Sequence, residues 1–322
     1  MKEVSFIRQN IEKWKALEKT VDEAETRNPC DLADAYTRIT TDLSFSRSHY
    51  PDSRITIYLN NLASALHNIL YKTRKNKYSR IITFWTQEIP DVMYASRREM
   101  IYSFVVFAVS VLIGVLSAAN DDSFVRLILG NGYVDMTLKN IRNGEAMAVY
   151  SSSNELPMFV MITANNIYVS FRVFVMGLFT GFGTGVILLY NGIMVGAFQT
   201  FFFQHNVGVE SMLAIWLHGT FEISAIIIAG AAGFALGNGV LFPGTYSRKH
   251  AFRQGAMLGL KIITGLVPVF IIAGFIESYL TRHTEYHDAV RLFIILLSLS
   301  CVIYYYIILP QKRNKWNRKR IE

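Results

Sequence analysis

The chain has 322 residues, 52% of them hydrophobic and only 17% charged, with a mean hydropathy of +0.27 and a formal net charge of +8. That balance is too apolar for an ordinary soluble protein of this length, and it makes a membrane protein the expectation before any motif is considered. The basic surplus is taken up by membrane flanks, so the lipid bilayer is the expected partner and no nucleic acid is.

The first hundred residues read as amphipathic helices. Phe6, Ile7, Ile11, Trp14, Leu17 and Val21 recur at three- and four-residue spacing, and Asp31-Leu-Ala-Asp-Ala-Tyr36 opens a second helix after Pro29. A third starts after Pro51-Asp52-Ser53, where Asp52 or Ser53 can cap the orphan amides, and runs through Tyr58 to Tyr71. A fourth, about 78–98, carries Ile81, Phe84, Trp85 and Ile89 into the membrane with a kink expected at Pro90. Lys72, Arg74, Lys75, Lys77 and Arg80 form either a headgroup-contacting face or a solvated one. Met1 to Glu23 is charged throughout and has no continuous apolar core, so no signal peptide is expected. Cys30 falls in this region and Cys301 in the last span, an arrangement that predicts neither a disulfide nor a thiolate metal site.

A window of about 19 residues finds six spans, near 99–119, 158–180, 185–203, 212–236, 256–277 and 288–309. The expected organisation is a cytoplasmic helical domain over 1–98, a membrane domain over 99–310 with an outer interfacial loop over 120–157, and a basic cytoplasmic tail over 311–322. Phe124, Leu127, Ile128, Val134, Met136, Leu138 and Ile141 make that loop too apolar for a hydrated linker, so one or two short helices are expected in it. Between the second and third spans, Gly181-Phe-Gly183-Thr-Gly185 is either a tight turn or a helix break. Arg97-Arg98, Arg248-Lys249, Arg253, Lys312-Arg313, Lys315 and Arg318-Lys319-Arg320 fall on one side if both termini are cytoplasmic, whereas Asp121-Asp122, Glu210, Glu277, Glu285 and Asp288 fall on the other. The fold class is therefore all-α: a polytopic membrane helical bundle with an N-terminal soluble helical domain.

The candidate site lies in the fourth span, where Trp216-Leu-His218-Gly219-Thr-Phe-Glu222 sets an imidazole and a carboxylate one helical turn apart in an apolar run. Asn165, Asn166 and Arg172 in the second span, Asn191 in the third and Lys261 in the fifth complete an expected internal polar network. Three readings stand. Arg172 or Lys261 pairs with Glu222 and the network fixes helix register; or His218 and Glu222, at i and i+4, reach one divalent metal such as zinc, with His205 as a further ligand; or the column solvates an ion or a lipid headgroup on a permeation path. There is no His-Glu-x-x-His, no nucleophile in a recognisable setting and no phosphate-cradling glycine loop. The stretches Gly177-x-x-x-Gly181 and Gly255-x-x-x-Gly259 fit close helix contact, within one chain or in a homo-oligomer.

Taken in order, Asn165-Asn166, the turn through Gly185, Asn191-Gly192 with Gly196, and His218-Gly219-x-x-Glu222 followed by Ala229-Gly230-Ala-Ala-Gly233 resemble the stage II sporulation protein M family of bacterial integral membrane proteins. Tyr36 through Tyr50-Pro51, Tyr58-Leu59-Asn60-Asn61-Leu62 and Ala65-Leu66-His67 to Leu70-Tyr71 resemble the cytoplasmic extension of its longer members. The resemblance implies a polytopic protein of the bacterial inner membrane, acting as a scaffold or assembly factor with cell-envelope or cell-wall-remodelling partners. A transporter or channel is the alternative, and an intramembrane metal-dependent enzyme the third.

Overall fold

The computed structural model describes residues 3–22, 29–71, 77–145, 147, 154–281 and 286–319. Among these there are helices and turns and no strand. Lys72, Arg74 and Lys75 of the basic stretch, Glu285 of the last polar loop and Arg320 of the tail lie outside the described residues. The chain divides into two units between Arg80 and Ile81.

The first unit is built on α1 (Glu3–Asp22), α2 (Pro29–His49) and α3 (Arg54–Tyr71). The apolar stripes foreseen on these helices meet in one core, where Trp14, Ile39, Leu59 and Leu66 are fully buried. Trp14 is anchored at its polar end as well: its indole N–H donates to Asp42 Oδ2 at 2.8 Å, and Lys13 Nζ reaches the same oxygen at 2.6 Å. Ser53 is the residue that caps α3, its hydroxyl oxygen accepting from the Ile55 amide at 3.2 Å while it donates to the Glu3 carboxylate.

The boundary falls within α4 (Lys77–Thr83), which passes through a π turn at Phe84–Glu88 into α5 (Ile89–Ala95) of the second unit. Pro90 stands in the first turn of α5, directly after the π turn, and this helix ends at Ser96 (φ −94°, ψ 19°). Six helices long and apolar enough to cross a membrane follow or include α6 (Arg97–Asn120), α9 (Glu155–Val175), α10 (Phe182–Gln204), α11 (Gly208–Leu241), α12 (Arg248–Phe275) and α13 (Asp288–Ile303). Past Phe275, α12 continues as a π turn over Ile276–Leu280; α13 likewise continues through Tyr304–Ile308 into α14 (Leu309–Lys319). The expected loop holds two short helices, α7 (Asp122–Leu129) and α8 (Asn131–Arg142), whose Val125 and Val134 pack with Ala118, Phe201, Phe202 and Ala214.

Small residues set the packing distances. A Cβ at Gly114 would strike the Ile193 backbone, and one at Gly196 would strike the Val111 carbonyl, so α6 and α10 lie together along their length. Thr180 and Gly181 take left-handed conformations, at φ 59° and 81°, and fold α9 back on α10 in a tight turn. α11 is the central helix, with Ala225, Ala229, Gly230, Ala231, Ala232 and Gly233 all buried. The two glycine pairs flagged in the sequence are spent inside the chain: Gly177 on Gly233, Gly181 on Gly237, Gly255 on Ala235 and Gly259 on Ala232. Hydrogen bonds cross the same seams, from Ser103 Oγ to the Ile227 carbonyl at 2.6 Å and from Thr184 Oγ1 to the Val173 carbonyl at 2.9 Å.

Paired levels along these contacts show the spans alternating in direction. Arg97, the Gly181 turn, the Leu241–Arg248 connection and α14 share one end of the bundle. The Asn120 end of α6, the Glu155 end of α9, the α10–α11 turn, Leu280 and the Asp288 end of α13 share the other.

Candidate functional site

His218 and Glu222 project from successive turns of α11, about 15 and 21 Å from its first residue at 1.5 Å per residue, in the half of the bundle nearer the 120–157 connection. The imidazole is buried, with only 3% of the residue exposed. Opposite it stands Glu277, carried by the π turn at the end of α12, with its Oε1 3.9 Å from His218 Nε2. One ligand-capable atom each from His218, Glu222 and Glu277 lies within 4.8 Å of the other two.

The neighbours of this trio orient it. Thr281 Oγ1 lies 3.1 Å from His218 Nδ1 and donates to the Ile276 carbonyl at 3.2 Å. The contact at Nδ1 orients the ring so that Nε2 faces Glu277. From α9, Asn166 Nδ2 donates to Glu222 Oε1. Thr163, one turn before Asn166 and packed on Gly274, and Ser278, next to Glu277, have buried hydroxyls without a hydrogen-bond partner among the described residues. Three acceptors thus converge from α11 and α12 under a donor from α9, an arrangement that needs a proton or a cation at its centre to balance the charge.

Several residues expected in one polar column are elsewhere. Asn165 is exposed, because its neighbour Asn166 takes the inward face of α9 and a one-residue step turns the side chain about 100° away. Arg172 is also exposed, in the last turn of α9, where a long side chain can reach the interface and has no need of Glu222. Lys261 pairs with Glu88 at 2.7 Å rather than with Glu222; both side chains are about a third exposed. Asn191 is half-buried and donates to the Ile187 carbonyl of its own helix at 2.8 Å. His205 joins neither His218 nor the carboxylates: its Nδ1 meets the Phe201 carbonyl at 2.8 Å, and the ring lines a separate groove of about 470 Å³ with Asp122, Arg126 and Gln204.

Glu277 and Thr281 are the site residues that sequence reasoning missed. Glu277 was expected among the acidic residues of a polar loop, but the helix runs on to Leu280 and turns it inward. A signal was present: Gly274, Glu277, Ser278 and Thr281 repeat at three- and four-residue spacing, the pattern of one helix face.

Six apolar helices around a buried ionisable centre define an all-α polytopic membrane protein. The chain belongs to the Stage II sporulation protein M family, whose model matches residues 103–282 and so spans the first five membrane helices and the whole site. Residues 4–72 match a second model, described as a domain of unknown function (DUF8413). Among curated proteins, the chain is similar to the uncharacterized protein MJ0793 of Methanocaldococcus jannaschii, with 31% identity over 125 residues, 38% of this chain and 70% of that one. No solved structure matches.

Proposed function

We propose that this protein is a membrane-embedded scaffold or assembly factor of the cell envelope, in which the His218–Glu222–Glu277 centre holds α9, α11 and α12 in register. The observation that carries the reading is the destination of the charged residues. Those deep in the bundle close on one another and on Asn166, while Arg172 and Lys261, which a path through the bundle would have enlisted, turn to its surface or to Glu88. Close contacts between backbones, such as Gly177 on Gly233 and Gly255 on Ala235, favour a rigid body over an alternating one. The family is consistent with this role.

The side carrying both membrane flanks also carries Arg97, Arg98, Arg248, Lys249, Arg253, Lys312 and Arg313, which supports a cytoplasmic placement for it in the bacterial inner membrane. The envelope or cell-wall-remodelling partners would then meet either the soluble unit or the α7–α8 face. A homo-oligomer, if formed, would use surfaces other than the glycine pairs already occupied inside the chain.

Replacing Glu222 with Gln tests the reading. In cells, site-specific crosslinks from the variant should reach the same envelope proteins as the wild type, at lower yield because the folded population falls. In proteoliposomes, neither protein should raise cation or proton flux above empty vesicles. Flux through the wild type that disappears in a folded Glu222→Gln variant would establish a transporter or channel and overturn the scaffold.

A further inference from the structure

We infer that His218, Glu222 and Glu277 form a binding site for one divalent transition-metal ion of the zinc class, buried between α11 and α12. The inference rests on the three-helix centre of the scaffold reading but goes beyond it, since a shared proton would also hold that centre together.

The first support is the donor set. A single imidazole with two carboxylates suits zinc and its first-row neighbours, whereas calcium takes six to eight oxygens and magnesium keeps much of its water. The second is geometry. Tetrahedral zinc ligands about 2.0–2.2 Å from the metal stand about 3.4 Å apart. His218 Nε2 and Glu277 Oε1 are 3.9 Å apart, so small rotations of the flexible Glu side chains close the shell around an ion.

The third support is independent of the trio, because two of the three ligands are held by neighbours in the way metal ligands are. Thr281 holds the Nδ1 side of His218 and leaves Nε2 facing Glu277, and Asn166 grips one oxygen of Glu222. Three protein ligands leave a fourth position for water or a bound group, and the buried hydroxyls of Thr163 and Ser278 stand within one turn of Asn166 and Glu277 along their helices. Glu277 sits within the π turn and Thr281 caps it, and such turns occur often at functional sites.

The test uses the full-length protein, purified in detergent without a histidine tag, stripped with chelator and titrated with zinc alone or cobalt alone. The expected results are one zinc per chain by elemental analysis, a zinc-dependent rise in Tm, and a cobalt visible band of tetrahedral character. Glu277→Gln and His218→Ala should each weaken zinc binding at least tenfold. Thr281→Val, which keeps every ligand, should weaken it about 10- to 100-fold. Circular dichroism reports whether each variant is folded, and the cobalt spectrum reads the wild type, so loss of fold in a variant does not spoil the answer. A folded wild type that takes up no stoichiometric zinc and shows no cobalt band would overturn the site. So would unchanged zinc affinity in folded Glu277→Gln. Either failure leaves the scaffold reading intact, because that reading is decided by crosslinks and flux.

Discussion

Both units of this chain bury large apolar side chains, but they differ in what lies at their closest helix contacts. In the first, the fully enclosed residues are large: Trp14, Ile39, Leu59 and Leu66. In the second, the central helix α11 encloses Ala225, Ala229, Gly230, Ala231, Ala232 and Gly233, while Ile101, Phe104, Leu112 and Leu116 of α6 lie on the outside. The difference follows from the solvent. Water drives bulky apolar groups inward, about 25 cal/mol for each Å² buried. Hydrocarbon gives no such drive between helices, so the membrane unit gains by close backbone approach, dispersion contacts and hydrogen bonds across seams.

This contrast says that the first unit breaks when bulk is removed, whereas the α11 seams of the second break when bulk is added. The largest effect is expected from Gly233→Leu, whose Cβ alone would collide with the Thr184 side chain and stand 2.8 Å from the Val173 carbonyl. The membrane unit should fail to assemble, seen as aggregation on detergent size exclusion, with no stable monodisperse peak. Next comes Trp14→Ala, which empties the centre of the soluble core and strips Asp42 of its indole donor. It should cost about 3–5 kcal/mol in a denaturant titration of the first unit while the membrane unit's thermal transition stays in place. A loss of both transitions together would show the contrast to be drawn too sharply.

Two smaller changes sharpen the picture inside the membrane unit. Tyr306→Phe removes only the hydroxyl that donates to the Gly265 carbonyl at 2.9 Å. About 1 kcal/mol of stability should go, read as a lower Tm with the fold unchanged. Lys261→Met should do least, under about 1 kcal/mol, because the pair with Glu88 is partly exposed at both ends. A large loss there would restore Lys261 to the bundle's interior network.

Much of the architecture was legible because the membrane writes it in long apolar runs. Each expected span overlaps an observed helix, although α11 and α12 extend beyond the predicted 212–236 and 256–277. Boundaries slipped where small or weakly polar residues continue a helix, as at Ser278 and Thr281, since hydropathy falls there before the helical hydrogen bonding does. The site was half legible. His218 and Glu222 announce themselves at i and i+4 on one segment, but Glu277 comes from another helix, at the point where hydropathy ends the span, and only its spacing with Gly274, Ser278 and Thr281 marks it as part of a helix face. Arg172 and Lys261 misled for the converse reason: depth along a helix is readable from sequence, whereas rotation about its axis depends on which neighbours pack, and long cationic side chains reach water from well inside.

The π turn at Tyr304–Ile308 and the helix after it tie the unit's end to its beginning. Tyr305 donates to the Trp85 carbonyl at 2.6 Å, and Arg313 Nε reaches Asp91 Oδ1 at 2.7 Å. The segment that opens this unit is therefore latched by one 220 residues further along the chain. Nascent chains stalled before residue 305 should lack both contacts and leave α5 more open to protease than chains extended past Arg313.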